Sequence, residues 1–428
     1  MNHIIQSVKG MHDYTPKKIL IWQYIESILK RNLTSYNYQE IRFPIIERTE
    51  LFKYGIGNIT DIVEKEMYSF QDKKSNSLTL RPEGTIGCMR SCIKSGLLRK
   101  HSEQKLWYLG PMFRYEKPQF GRHRQFHQCG IESFGFLDPS IDFEIILLVQ
   151  RILKNLNISR YVNLELNTIG SINDRMNYKK SLYLHFKKHE FLLDTDCKRR
   201  LYTNPLRILD SKNNAMTEII NTAPVLINFV SDDSLEHFEK LCKFLKKIKI
   251  PYSINYKLIR GLDYYNKTVF EWTSDKFTSK HAICAGGRYD YLSQSFGAPF
   301  IPAIGCAIGI ERLILLLESL EKTWYPENFI DIFVIFSHKN IELYAIKLSE
   351  NIRTAFPCRR VQVNFSNGNI KKQFKKANKL GARIVLLIGT IEVQNKTVLM
   401  KDLKFNTQKT FLIINVIQEL KWFFEKYF

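Results

Sequence analysis

Apolar positions recur with two different periods along this chain. Behind Thr15-Pro16, where a capping hydroxyl precedes proline at the first helical position, Ile21, Ile25, Ile28 and Leu29 follow helical spacing and predict a first amphipathic helix. Shorter runs come next. Ile41 to Ile46, broken by Pro44, and Ser77 to Arg81, closed by Pro82, are predicted strands, and Leu106 to Leu109, Met112 to Glu116 and Gln125 to Phe134 add three more. Strands that follow strands without an intervening helix predict a largely antiparallel sheet. Asp138-Pro139 then caps an apolar helix through Leu156, and Val162 to Leu166 resumes the sheet.

From about Ser171 to Lys249 the pattern turns to charged, helix-like segments, Asn177 to Phe191 and Ser234 to Ile248, which predict an inserted helical module ending at Pro251. Strand-like residues return at Tyr252 and around Val269 to Trp272, and Gly309 opens a helix through Leu320. Trp324 to Asn328 reads as a linker. Beyond it Ile330 to Phe336, Ile341 to Phe356, Val361 to Phe365, Ile370 to Leu380 and Ile384 to Ile388 alternate strand and helix, as in a small α/β domain.

Composition narrows the class. With 428 residues and 44% hydrophobic content, two or three packed domains are affordable in surface-to-volume terms. The opening residues lack the apolar core of a secretory signal, and the apolar runs fall short of the roughly 20 residues that span a bilayer. Eight scattered cysteines without a Cys-x-x-Cys pair fit reduced thiols, so the expected location is cytoplasmic. The net charge of +22 favours a polyanionic partner, although a lysine-rich codon bias would also raise it. Residues 329 to 428 carry 17 Lys and Arg against 7 Asp and Glu, so nearly half of the excess lies on the last hundred residues.

Candidate chemistry gathers on arginines. No Gly-x-x-x-x-Gly-Lys-Ser/Thr loop is present, and Gly55-Ile56-Gly57 lacks a third glycine, so any bound nucleotide depends on guanidinium groups. Strand alternation is expected to put Arg114 and Glu116 on one face, with Arg122 and Arg124 on the glycine-containing loop that follows. Planar charged forks suit phosphate oxygens, though an ion-paired surface hairpin has the same pattern. Phe126, Gln128, Gly130 and Glu132 share the next strand's face. His123, His127 and Cys129 have the opposite parity, too few ligands for a zinc site, so no structural zinc and no metal ligand among the side chains is expected. Cys88 and Cys92, one turn apart, read as helix packing.

Several blocks resemble one family. Phe113-Arg114-Tyr115-Glu116 is similar to motif two of class II aminoacyl-tRNA synthetases, Gly305 to Arg312 to motif three, and Phe43-Pro44 to Leu51 to the looser motif one. Arg260-Gly261-Leu262-Asp263-Tyr264-Tyr265 and Ala285-Gly286-Gly287-Arg288-Tyr289-Asp290 resemble the two signature peptides of histidyl-tRNA synthetases, and Leu80 to Thr85 also matches them. The resemblance implies an α+β fold: a class II antiparallel sheet flanked by helices in a catalytic domain over 1–325, an inserted helical module at about 171–250, and a C-terminal α/β anticodon-binding domain over 329–428.

It further implies that Glu83, Thr85 and Gln128 hold the histidine α-ammonium and that Glu132, Tyr265 and Tyr289 line the imidazole pocket. Arg114, Glu116, Arg122, Arg124 and Arg312 would bind ATP, accompanied by Mg2+, and Arg260 would reach the histidine carboxylate and the α-phosphate; Arg260 and Arg114 are the expected catalytic pair. The implied partners are tRNA(His), L-histidine and ATP, in a homodimer without a membrane. Tyr115 stands where the family often has histidine, and Ala307 replaces a glycine. Asn406-Thr407-Gln408 departs from the usual late turn. A catalytically silent regulatory relative would be expected to lack Arg260 and the basic tail, and both are present. Lys276-Phe277-Thr278-Ser279-Lys280 imitates the lysine loop of class I synthetases but has no companion His-x-Gly-His, so it reads as a polar turn. In the tail, Lys371, Lys372, Lys375, Lys376 and Lys379 line a helix face suited either to solvent or to RNA.

Overall fold

The computed structural model describes residues 5–57, 60–99, 103–119, 121–209, 211, 213–276, 281–320, 330–365 and 369–427. The predicted linker and most of the polar turn after Lys276 lie outside the described residues. Two compact units divide near Thr323.

The first unit begins with α1, Pro16–Ser35, whose Ile21, Trp22, Ile25, Ile28, Leu29 and Leu33 are buried. Thr15 supplies its carbonyl to Ile19, but its hydroxyl makes no cap bond. Next come β1 (Gln39–Glu40), β2 (Ile46–Arg48), α2 (Thr49–Ile56), β3 (Tyr68–Gln71), β4 (Ser77–Leu80) and α3 (Thr85–Ser95). Of the expected strand over Ile41 to Ile46 only Ile46 is in a strand, as the first residue of β2. Pro44 has no N–H to give a ladder, and the carbonyls of Phe43 and Ile45 are instead bound by the side chain and backbone N–H of Arg81.

Strand β5, Gln104–Phe113, takes in the expected Leu106 to Leu109 and only Met112 and Phe113 of the expected Met112 to Glu116, and β6, Gln125–Phe134, returns beside it. Pro111 interrupts nothing, because its carbonyl accepts from Arg81 Nε at 2.8 Å. Helix α4 (Ser140–Asn155) and β7 (Asn163–Thr168) lead into the inserted module, whose helices are α5 (Ile172–Lys188), α6 (Thr195–Thr203), α7 (Thr217–Asn221) and α8 (Asp232–Lys247). Helix α5 starts earlier than the sequence pattern indicated, because Ser171 and Asp174 form a reciprocal capping box. Strands β8 (Ser253–Ile254), β9 (Asn266–Ser274), β10 (His281–Arg288) and β11 (Ala303–Gly309) and helix α9 (Ile310–Ser319) complete the unit.

Among the described residues, eight strands form the main sheet in the order β1-β5-β6-β11-β10-β9-β7-β8. Its central pairs are antiparallel, and the edge pairs β1·β5 and β7·β8 are parallel. Register brings small residues together. One row across the sheet reads Tyr108, Gly130, Ala307, Ala285, Glu271, and the next reads Leu106, Glu132, Gly305, Gly287, Val269. Directly opposed residues share a face, so a shallow floor lies between tall side chains at its edges.

The second unit contains β12 (Ile330–Phe336), α10 (Glu342–Ala355), β13 (Val361–Val363), α11 (Ile370–Lys379), β14 (Ala382–Ile388), α12 (Thr390–Gln394), β15 (Thr397–Asp402), β16 (Thr407–Leu412) and α13 (Val416–Tyr427). Strands β13, β12 and β14 are parallel, and β15 and β16 add an antiparallel hairpin that the hydrophobic pattern had not revealed. Both faces of the sheet are covered. Ile332, Val334, Ile384 and Leu386 pack with residues of α10 and α13, while Phe333, Ile335 and Val385 pack with Ala377 of α11. Burial on both faces explains the unbroken apolar runs in β12 and β14.

Arg288 fastens the main sheet to α4. Its guanidinium is fully buried, binds Asp142 through Nε and Nη2 at 2.8 to 3.0 Å, and reaches Asp290 and the carbonyls of Phe136 and Asp138. His237 of α8 closes the cluster 3.3 Å from Asp142. Removing one partner of such a buried pair strands the other charge, which costs about 3 to 5 kcal/mol. Arg288→Met is therefore expected to lower the unfolding free energy of the first unit by about that amount. Chemical denaturation checks it, and a midpoint equal to wild type would show that Asp142 finds another partner.

Candidate active site

A cavity of 350 Å³ opens over the sheet floor, lined by Arg114, Glu116, Arg122, Gln128, Arg260 and Arg312 together with His123, Glu271 and Glu311. Six of the residues singled out in the sequence thus converge. The strand argument for two of them needs correction: β5 ends at Phe113, so Arg114 and Glu116 stand in the loop beyond it, held by Arg114 N–H to the Arg124 carbonyl and Glu116 N–H to the Arg114 carbonyl. Arg114 Nε donates to the Pro82 carbonyl at 2.8 Å, and its plane lies over the Phe126 ring. Glu116 is 3.4 Å from Arg122 and 4.0 Å from Arg114, so one carboxylate spaces two forks.

Arg124 is placed differently. It is not part of the cavity lining; its guanidinium stacks on Tyr115 at 3.8 Å, and its Nε donates to the Glu116 carbonyl. Its backbone N–H reaches the Gly10 carbonyl at 2.8 Å, which ties the N-terminal segment to this loop. Arg312, on α9, donates to the carbonyls of Ala282 and Gly121. Burial, then the neighbouring Arg122 and Arg114, lower its pKa, so the wall of the cavity carries mutually repelling positive charge.

Arg260 precedes β9 and pairs with Glu271 on that strand. Burial disfavours its charge, but Glu271, Tyr265 and Tyr264 outweigh burial and hold its pKa above the ordinary value. Its Nε remains buried without a hydrogen-bond partner, as does Gln128 Oε1. These two atoms are a donor and an acceptor poised for a bound group, since buried polar atoms are rarely left unpaired.

Behind the cavity lies a nest of acids and hydroxyls. Glu83 accepts from the backbone N–H groups of Thr85 and Ile86 and from Tyr264 at 3.2 Å. Glu132 is fully buried; its Oε1 accepts from Thr85 Oγ1 at 2.8 Å and Tyr108 at 3.1 Å, and its Oε2 from Tyr289. Tyr265 stacks near Tyr264, with ring centroids 4.6 Å apart. Gly305 makes room for the acid: a methyl there would lie 1.7 Å from Glu132 Oε2.

Four side chains here were given no role by the sequence reading, Tyr108, Tyr264, Glu271 and Glu311, and His123, weighed there only as a metal ligand, lines the cavity. Tyr264 sits inside a signature block, Glu311 sits inside motif three, and Glu271 is an acid in an otherwise apolar strand; these were the available signals. Glu311 accepts from the His127 backbone and faces its Nδ1 at 3.0 Å. Cys129 lies buried, and Cys88 and Cys92 pack inside α3.

Burial pushes the Glu132 carboxyl from the ordinary 4.5 up to about 8, against the hydroxyl donors that favour its ionised form; the neighbouring Glu83 adds to the rise. A folded-state pKa above the unfolded one means stability that is present below about 4.5 and is lost as pH rises through about 8. Glu132→Gln has no such loss. Its unfolding midpoint, relative to wild type without ligands, is expected to improve between pH 5 and pH 9; a constant difference across that range would contradict a raised acid.

Residues 10–313 match the family described as histidyl-tRNA synthetase, and residues 331–422 match the anticodon binding domain. The chain is 61% identical over 425 residues to the histidine–tRNA ligase of Buchnera aphidicola subsp. Baizongia pistaciae, covering 99% of this chain and 100% of that protein. It is 51% identical over 419 residues to that of Blochmanniella pennsylvanica, covering 97% and 95% of the two chains. The apo S. aureus histidyl-tRNA synthetase crystal structure superposes with a TM-score of 0.81 at 32% identity, covering 97% of this chain and 99% of that one. With its two signature peptides gathered at one cavity and likeness along the full length, the chain belongs to the histidyl-tRNA synthetase family.

Proposed function

We propose that the chain joins L-histidine to tRNA(His) at the expense of ATP, through a histidyl-adenylate intermediate. One observation carries this reading: a pair of buried carboxylates, Glu83 and Glu132, lies directly behind a cavity walled by arginines. A cationic ammonium and an imidazole N–H suit the first feature, and a triphosphate suits the second.

Glu83, Thr85 and Gln128 are assigned to the α-ammonium, and Glu132, Tyr265 and Tyr289 to the imidazole. Arg114, Glu116, Arg122, Arg124 and Arg312 are assigned to ATP. Arg124 acts here by stacking on Tyr115 and steadying the loop, a more indirect role than its neighbours have. Histidine's carboxylate attacks the α-phosphorus, the bond to the bridging oxygen breaks, and diphosphate leaves. Negative charge accumulates as two anions meet, so fixed guanidiniums from Arg260 and Arg114 lower the barrier without reorganising. A ribose hydroxyl of the tRNA's terminal adenosine then attacks the acyl carbon and releases AMP.

Magnesium fits the site chemically. It favours oxygen ligands and keeps water and phosphate in its shell, and Glu116 and Glu271 offer carboxylate oxygens on the cavity wall. Bound to the β- and γ-phosphates, it would screen their charge.

We assign residues 1–325 to adenylation and 329–428 to the anticodon. Support for the second assignment is the charge excess and α11, where Lys371, Lys372, Lys375 and Lys379 are exposed while Lys376 turns to Asn364 at 3.0 Å. We further propose homodimeric assembly and a cytoplasmic setting, a reading that family membership supports. No described helix is long and apolar enough to cross a membrane.

Arg260→Ala is expected to slow single-turnover adenylate formation by about 10² to 10³, with a much smaller effect on histidine affinity. A rate within a few-fold of wild type would remove Arg260 from the chemical step. Glu132→Gln is expected to raise the KM for histidine and leave the KM for ATP within about twofold, because the lost carboxylate is bound by Thr85, Tyr108 and Tyr289 on the histidine side and by none of the arginines assigned to ATP. Unchanged histidine kinetics would make Glu132 structural.

A further inference from the structure

Tyr108 lies outside every block that resembles the family's motifs, yet it reaches the centre of the proposed imidazole pocket. It sits on β5 directly opposite Gly130 of β6. Its ring fills a slot that two glycines create: a methyl at Gly130 would lie 2.0 Å from its Cζ, and one at Gly84 would lie 2.1 Å from its Cε2. The Phe43 ring packs edge-on at 5.0 Å and helps fix the ring plane. The hydroxyl therefore has one position, 3.1 Å from Glu132 Oε1.

The consequence comes from counting acceptor sites. An ionised carboxylate offers about four lone-pair directions. On Glu132, Thr85 and Tyr108 occupy Oε1, and Tyr289 occupies one side of Oε2. By that count one lone-pair direction on Oε2 has no donor among the described hydrogen bonds. We propose that Tyr108 is a positioning residue for histidine specificity: with Thr85 it saturates Oε1, so that Glu132 presents a single acceptor to a single ring N–H. The proposal rests on the reading that Glu132 meets the imidazole. A side chain lacking an N–H at that point leaves the acceptor unpaired, and a flat apolar ring cannot compensate.

Burial sets the direction of the Glu132 titration, and the groups facing the acid modify it. Glu83 faces it from the start of α3, and Thr85 and Cys88 from α3 itself; Tyr108 faces it from β5, Cys306 from β11, Tyr264 and Tyr265 from the loop before β9, Tyr289 from the end of β10, and Tyr38 from the segment after α1. Burial, together with the neighbouring thiol Cys284 at Cys306, raises the pKa of these phenols and of both thiols, so they remain neutral donors near neutral pH. Among these donors, the Tyr108 hydroxyl favours the ionised form of Glu132, so its removal drives the acid's titration to higher pH.

Tyr108→Phe tests this while keeping the ring in its slot. ATP–pyrophosphate exchange with histidine, measured from pH 6 to pH 9 on the full chain, is expected to show a KM for histidine raised about tenfold or more, as for loss of a hydrogen bond to a charged group. The maximal rate and the KM for ATP should stay within about twofold. The acid limb of kcat/KM for histidine should move to higher pH than in wild type; histidine's own ionisation is common to both proteins and cancels. A purely packing role for Tyr108 would move neither the limb nor the KM, and that result overturns the proposal. If Tyr108→Phe is silent while Glu132→Gln loses histidine, the positioning role falls and the imidazole assignment stands; if both are silent, both fall.

Discussion

Two carboxylates buried beside each other, with hydroxyls and backbone N–H groups as their immediate donors, form the constraint on which this structure depends. An ion taken out of water is costly unless hydrogen bonds replace its hydration. Glu83 obtains two backbone donors because α3 begins there, and Glu132 obtains three hydroxyls from three different elements. Each donor needs its own clearance. Gly84 and Gly130 admit the Tyr108 ring, and Gly305 admits the Glu132 carboxyl itself. The small residues of the central strands are thus a consequence of placing acids there.

The arginines pose the opposite problem. Arg114, Arg122 and Arg312 crowd one wall, and their mutual repulsion, added to burial, is felt at Arg312. Glu116 and Glu271 hold two sides of this wall apart, and backbone carbonyls of Pro82, Ala282 and Gly121 fix the forks. Positive charge held in place before the substrate arrives is what a transition state gathering negative charge requires. Acids at the back and arginines at the front therefore give the site a polarity that orients an amino acid, with its ammonium and ring inward and its carboxylate toward the phosphate.

Much of this was legible in the sequence wherever chemistry is local. The β6 alternation of Gln128, Gly130 and Glu132 needed only a strand's period of two, and the apolar runs Ile330 to Phe336 and Ile384 to Ile388 marked two strands of the small α/β domain. Long-range satisfaction of polar groups was hidden. Ile41 to Ile46 has strand composition, but its carbonyls are taken by Arg81, a residue some forty positions away. Arg288 carries a signature block's charge into a structural cluster with Asp142 and His237, which no spacing indicates. Tyr108 looks like an ordinary strand aromatic until the register sets it over Gly130.

The central claim is that this acid pair selects one side chain and the arginine wall activates it. ATP–pyrophosphate exchange measured separately with each of the common amino acids tests both halves at once. Histidine should support exchange by itself at a rate well above the rest, because its imidazole presents a ring N–H to Glu132 while its carboxylate faces the arginines. Comparable exchange with another amino acid, or none with histidine, would contradict the account.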